Sequence, residues 1–176
     1  MNKIISFLAV IMGVLCLTSS VFAAGGANAD ASAKIQTAIA VVKYTETVTN
    51  GDLGFGVIVP GTATIVTVST ASVRSKDTGT AALLGNAYGA ATFMIYGSPD
   101  ATYTVTKPSV AITVTNGSQT MAVDNWTSTS DTYQNGIGQC GAEGQSSFLI
   151  GGSLHVGASQ AVGQYTGEFT VSVAYN

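Results

Sequence analysis

After the first 23 residues no long amphipathic helical rhythm appears. Short runs of β-branched and aromatic residues alternate with polar ones, and turn residues interrupt them about every ten positions, the spacing of a sandwich or barrel. This punctuation predicts strands at 34–44, 53–59, 62–70, 80–85, 90–96, 101–106, 110–115, 120–127, 145–150, 153–157 and 165–175. Turns are expected at Pro60-Gly61, Ser98-Pro99-Asp100 and Asn116-Gly117, the last a strong two-residue hairpin signal. Within single strands, Leu53, Phe55, Val57 and Val59 share a face, as do Phe93 with Ile95, Tyr103 with Val105, and Val110, Ile112 and Val114. Two packed antiparallel sheets give each face a partner, so the expected fold is an all-β, immunoglobulin-like antiparallel β-sandwich. The polar, Gly-rich stretch 128–144 breaks the rhythm and reads as a long surface loop.

The end of the chain is the most strongly patterned part. Residues 163–176 form one alternating strand, with Tyr165, Phe169, Val171, Val173 and Tyr175 on one side and Gly163 at its start. Such an apolar row must pair and bury. The first 23 residues have a basic start at Lys3, an apolar stretch at 4–17, a polar trio and then Val21-Phe22-Ala23, the pattern of a cleaved secretory signal peptide. Removing it takes away Cys16 and leaves Cys140 alone, so an intrachain disulfide is not expected in the mature chain. About 150 residues would remain, enough for one domain at 45–176 preceded by an extension at 24–44. Charged residues make up only 9% of the chain and the sequence pI is about 4.7, which argues against a nucleic-acid partner.

Candidate chemistry is sparse. Residues 136–141 match G-x-G-x-x-G, but no strand-then-helix context surrounds them, so a loop is expected there and no nucleotide cofactor. His155 is out of phase with Leu154 and Val156 and is expected to face solvent. With one His and one mature Cys a metal site is not expected, and no G-x-S-x-G elbow supports a Ser-His-Asp hydrolase. Asp124, Asp131 and Glu143 flank the long loop without the D-x-D spacing of a Ca²⁺ loop, and read as surface solvation. Trp126 lies on a strand whose two faces compete, Met121, Val123 and Asn125 against Ala122, Asp124 and Trp126. Plain packing is the first reading of that ring, and a carbohydrate platform with Tyr133 the second. Cys140 is either an intersubunit crosslink or an unreactive loop thiol.

Three stretches together carry a resemblance: DLGFGVIVPG at 52–61, the hairpin at 109–124, and GASQAVGQYTGEFTVSVAY at 157–175. They resemble the bacterial secreted family of domain of unknown function 4402 (DUF4402). That family is similar in layout to spore coat U and archaic chaperone-usher pilin domains, although the paired cysteines frequent in spore coat U pilins are missing here. The resemblance implies a sandwich lacking one strand, completed by donor-strand exchange, in which the C-terminal strand is gripped by a chaperone through β-strand addition. It implies a non-enzymatic structural subunit of a fimbrium, a surface filament supporting adhesion or biofilm formation. The partners would be copies of itself, a periplasmic chaperone and an outer-membrane usher, with a glycan or host receptor beyond. Export through the periplasm to the cell surface follows. The candidate donor is the alternating stretch 33–42 with Ile35, Thr37, Ile39 and Val41; the competing reading makes it strand A of its own sheet. A second function class is a monomeric secreted adhesin or polysaccharide-binding module using Trp126, Tyr133 and the 128–144 loop.

Overall fold

The structure, a computed structural model, describes residues 36–44, 49–129 and 137–176, all within the compact unit that begins at Ile35. The strands are β1 (Ala40–Lys43), β2 (Val57–Val59), β3 (Thr64–Val68), β4 (Arg74–Lys76), β5 (Ala82–Leu84), β6 (Ala91–Tyr96), β7 (Thr102–Thr106), β8 (Ile112–Thr115), β9 (Thr120–Ser128), β10 (Ile137–Gln139), β11 (Gln145–Val156) and β12 (Ser172–Tyr175). The fold is all-β and every pairing is antiparallel, as expected.

β11 organises the larger, seven-stranded sheet. Its first half pairs with β6, Phe148 opposite Phe93, and β6 in turn carries β1. Its second half lies between β9 and β3, Leu154 facing Val123 on one side and Val66 on the other; β8 and β4 complete the edges. The sequence divides this strand at Gly151-Gly152. The structure runs it straight through, because the glycines mark where β11 changes neighbours, not where it ends.

A second sheet, β10-β7-β12, packs on this one, and a small β2-β5 ladder lies beside them. Tyr103 and Val105 of β7 join Ile95, Phe148, Ile150, Val66 and Val123 in one buried cluster. Phe93 and Phe148 stack with centroids 5.1 Å apart, a contact that adds about 0.5–1.5 kcal/mol beyond area burial.

Two local irregularities reset which side chains face this core. Gly56 has φ of 72°, where a side chain is strained, so the alternation begun by Leu53 and Phe55 slips: Ile58 turns inward while Val57 and Val59 are left exposed. In β9, Asn125 (φ 49°) sits in a bulge at which Asn125 and Trp126 oppose the single residue Gly152. That extra residue settles the competition between the two faces, since Met121, Val123 and Trp126 all point inward.

Other expectations also shift. The Asn116-Gly117 hairpin forms, but Thr115 pairs with Thr120, giving four loop residues instead of two, because the Asn116 carboxamide accepts bonds from the main-chain N–H groups of Ser118 and Gln119. Val110 is 71% exposed and outside its strand, its carbonyl bound by the Trp126 indole N–H. β4 and β10 went unforeseen. β10 falls within the expected 128–144 loop and forms where the Tyr103 ring lies across Gly138, its register partner.

Gly138 has no room for a side chain: a Cβ there would run into the Tyr103 ring. Gly138→Ala should therefore destabilise the domain by about 1–3 kcal/mol, whereas Gly141→Ala, whose nearest contact would be an ordinary 3.5 Å, should cost well under that. Thermal unfolding of the two variants checks the contrast.

Candidate functional site

The first and last segments of the domain face each other across a groove of about 580 Å³. One wall is 52–60, the other 160–167, and Val114, Met121, Leu154 and Val156 form the floor. Leu154 and Val156 are buried from below, but Leu53, Phe55, Ile58, Val114 and Met121 are only half-buried against the core.

The expected C-terminal strand supplies one wall and its continuation. Phe169, Val171, Val173 and Tyr175 alternate with exposed neighbours, as the pattern requires, and Phe169, Val171 and Val173 pack on the core margin. The Phe169 ring lies 4.9 Å from Trp126 and edge-on to Phe93 at 6.3 Å. Only Ser172–Tyr175 forms a regular strand, against β7. Upstream, Thr166 bridges to Thr115, and between them the main chain of 167–171 has no hydrogen-bond partner among the described residues. The expected strand at 165–175 is shortened because β7 gives way after Thr106 to Lys107-Pro108, and proline has no N–H with which to extend the ladder. Tyr165 turns its hydroxyl locally, donating to the Ala161 carbonyl at 2.9 Å and accepting from Gln160. Gly163 lies in the groove wall.

The opposite wall is held by Arg74. Its guanidinium donates to the carbonyls of Phe55 (2.9 Å), Leu84 (3.2 Å) and Gly85 (3.1 Å) and lies 4.3 Å from the centre of the Tyr88 ring. Among the described residues β2 pairs with β5 alone, along one edge.

At the far end the two segments are tied together. The Thr37 main-chain N–H donates to Ser98 Oγ at 2.8 Å, and the Thr37 carbonyl accepts from the Tyr175 hydroxyl at 2.9 Å; that hydroxyl also accepts from the Ser98 N–H at 2.6 Å. Burial raises the Tyr175 pKa, but its bonds to Ser98 and Thr37 outweigh this and bring it below the ordinary tyrosine value. Thr37 thus meets Tyr175 at one end and 52–60 meets 160–167 at the other, so the two walls run antiparallel. A slot with an apolar floor that adjoins main chain without partners among the described residues can accept an extended segment, whose alternate side chains would cover the half-buried floor.

Of the candidate donor residues, Ile35 lies outside the described residues; Thr37 is held as above, and Ile39 and Val41 are half-buried on the core. In this chain Ala40–Lys43 pairs with β6, so the stretch acts as an edge strand of its own sheet. Trp126 is 8% exposed, which takes it out of the candidate contact surface, and Tyr133 lies outside the described residues. His155 is not simply solvated: its Nε2 lies 2.8 Å from Asp124 Oδ1, across the β9–β11 pairing. The neighbouring Ser153 bonds Thr67 and not His155. No group of three metal-type side chains gathers among the described residues. Cys140 fits the unreactive of its two expected readings, but as a core residue and not as a surface loop thiol. It is 1% exposed beside Gly97, and burial pushes its thiol pKa up, which is the setting of an inert core thiol and not of an intersubunit crosslink. Arg74 was not singled out in the sequence, where it lies in no motif, and Ser98 was read only as the start of the Ser98-Pro99-Asp100 turn, not as a tie to Thr37 and Tyr175.

The model of the family described as Domain of unknown function (DUF4402) matches residues 45–175. No curated protein and no solved structure gives a significant match.

Val171→Asp places a carboxylate on the apolar row and should destabilise the domain by about 2–3 kcal/mol, while Ser172→Asp, one position on and exposed, should change stability by about 0.5 kcal/mol or less. Comparable unfolding midpoints for the two variants would defeat the one-face assignment. Native Cys140 should resist alkylation and become reactive only on denaturation, and Cys140→Ser should cost about 1–3 kcal/mol by burying an unsatisfied hydroxyl. Rapid labelling of the folded protein, or a reducible dimer on non-reducing electrophoresis, would contradict that placement.

The chain belongs to the DUF4402 family.

Proposed function

We infer that this DUF4402 domain is a non-enzymatic structural subunit, a pilin, of a bacterial surface filament assembled by β-strand complementation. One observation carries the reading: an apolar groove lies between 52–60 and 160–167 over a floor of Val114, Met121, Leu154 and Val156, and it adjoins a stretch, 167–171, whose main chain has no hydrogen-bond partner among the described residues. A strand laid there would satisfy main-chain groups and cover apolar surface in one step. The secretory-signal pattern at 1–23 and the C-terminal row support the same reading, with a periplasmic chaperone holding the open edge before assembly and an outer-membrane usher passing the subunit to the surface. Because groove and donor are different parts of the subunit, the contact is heterologous and propagates into a filament. A glycan-binding module built around Trp126 is the weaker reading, since that ring is committed to the core.

Material sheared from the native cell surface should contain filaments under the electron microscope. In dodecyl sulfate without boiling it should run as a ladder of multimers that collapses to one band on heating. Loss of the gene should abolish both. A protein recovered only as a monomer with saturable glycan binding would replace this reading with the binding-module one.

A further inference from the structure

A second cavity, of about 200 Å³, shares no lining residue with the groove. It lies between β10 and the first half of β11, against Tyr103, Gln139, Ser146, Ser147 and Phe148, and every polar side chain that lines it is neutral. The main chain adds a donor and an acceptor. Over 145–149 β11 has β6 on one side only, because β9 joins it from Ile150 onward. On the other side the Leu149 N–H donates to Thr129 Oγ1 at 3.0 Å, and the Gln145 carbonyl accepts from the Gly141 N–H at 2.8 Å. Main-chain groups face alternate neighbours along an antiparallel strand, so Ser147, midway between these two, turns its N–H and C=O the same way, onto the cavity that Thr129 also lines. Neither group has a partner among the described residues.

The side chains complete a hydroxyl-binding set. The Tyr103 and Ser146 hydroxyls pair at 2.8 Å, and since a hydroxyl has one donor and two acceptor sites, the pair still offers an O–H and lone pairs. Burial pushes the Tyr103 pKa up and keeps that hydroxyl protonated. Gln139 donates its amide to the Asp100 carbonyl at 3.1 Å, which leaves its side-chain carbonyl as an acceptor. We propose that this cavity binds one neutral hexose ring at the end of a glycan chain, gripping a vicinal diol: one hydroxyl donates to the Ser147 carbonyl while its neighbour accepts from the Ser147 N–H.

Size and charge select this ligand. At roughly 30 Å³ per water the cavity holds about six waters, which is room for one ring, and it falls short of the ~300 Å³ at which pockets for drug-sized ligands begin. Gln139 and Ser147 are exposed, so the rest of a glycan can leave through the mouth. An acidic or amino sugar would bring an ion against a lining that carries no counter-charge. An added peptide strand fits less well, because it pairs along several residues, whereas Ser147 is flanked by main chain already engaged at Gln145 and Leu149.

The inference does not rest on the filament reading, and its test uses the full-length chain secreted by its native host, as filament or monomer. Methyl glycosides of glucose, galactose and mannose are titrated by saturation-transfer NMR, and hydrogen exchange is followed by mass spectrometry. At least one glycoside should bind saturably and slow exchange in a peptide spanning 145–149, leaving 52–60 and 160–167 unchanged; N-acetylneuraminic acid should do neither. Ser147→Pro, which deletes the edge N–H, should weaken binding at least tenfold. Gln139→Leu, which keeps the β10–β7 ladder, should weaken it at least threefold at an unchanged thermal midpoint. Wild-type affinity in Gln139→Leu, protection confined to the groove walls, or no binding of any of the three glycosides would overturn the assignment. So would binding of the free hexoses without their glycosides, or protection of 145–149 by tetra-alanine and not by a sugar. None of these results bears on the multimer ladder, which tests the filament reading separately.

Discussion

Everything in this domain depends on β11 being continuous through Gly151 and Gly152. Within twelve residues it holds β6 at one end and lies between β9 and β3 at the other, so the strands on both sides take their register from it. Its inward side chains Phe148, Ile150, Leu154 and Val156 are all at most 5% exposed and supply a large share of the core. A break at the glycine pair would separate the β1-β6 part of the large sheet from the β8-β9-β3-β4 part. It would also unseat the groove floor, because Leu154 and Val156 belong to the same strand.

With so much of the core fixed by one strand, the domain tolerates an unfinished margin. The first and last segments contribute side chains that are half-buried at best, and the main chain of 167–171 is left without partners among the described residues. Exposed edges of this kind are ordinarily blunted by charge, proline or a covering loop. Here Leu53, Phe55, Phe169 and Val171 present apolar surface instead. No disulfide compensates among the described residues, where Cys140 is free and buried. Stability therefore rests on packing and on a few polar clasps. The three carbonyl bonds of Arg74 are the most concentrated, because a single guanidinium joins the Phe55 wall to the Leu84-Gly85 turn.

Much of this was legible in the sequence, and the failures have definite causes. The all-β class and the C-terminal row at 169–175 followed from period-two alternation, which survives wherever the strand is regular. It misled where one residue changed the phase. Gly56 turned Val57 and Val59 outward, and the bulge at Asn125 put Trp126 on the same side as Val123, although strict alternation sets them on opposite faces. β10 and β4 could not be read, since Ile-Gly-Gln and Arg-Ser-Lys carry no apolar rhythm and exist because Tyr103 and β3 supply their partners. The groove was less legible still. Its walls are separated by about a hundred residues of sequence, and only the paired registers of β8, β9 and β11 bring its floor together.

The antiparallel run of the two walls constrains any strand laid between them. Such a strand must be parallel to one wall and antiparallel to the other, and the geometry favours the antiparallel partnership, whose hydrogen bonds lie perpendicular to the strands. Among the described residues the main chain with fewer partners is on the C-terminal side, whereas the Phe55 carbonyl and the β2-β5 ladder already engage much of the other wall. An entering strand should therefore run antiparallel to 160–167, and hence in the same direction as 52–58. Under the filament reading this gives the assembly a polarity: every subunit receives its neighbour's strand in one orientation, and its own N-terminal extension leaves from the Thr37 end, where Tyr175 and Ser98 hold the two walls together.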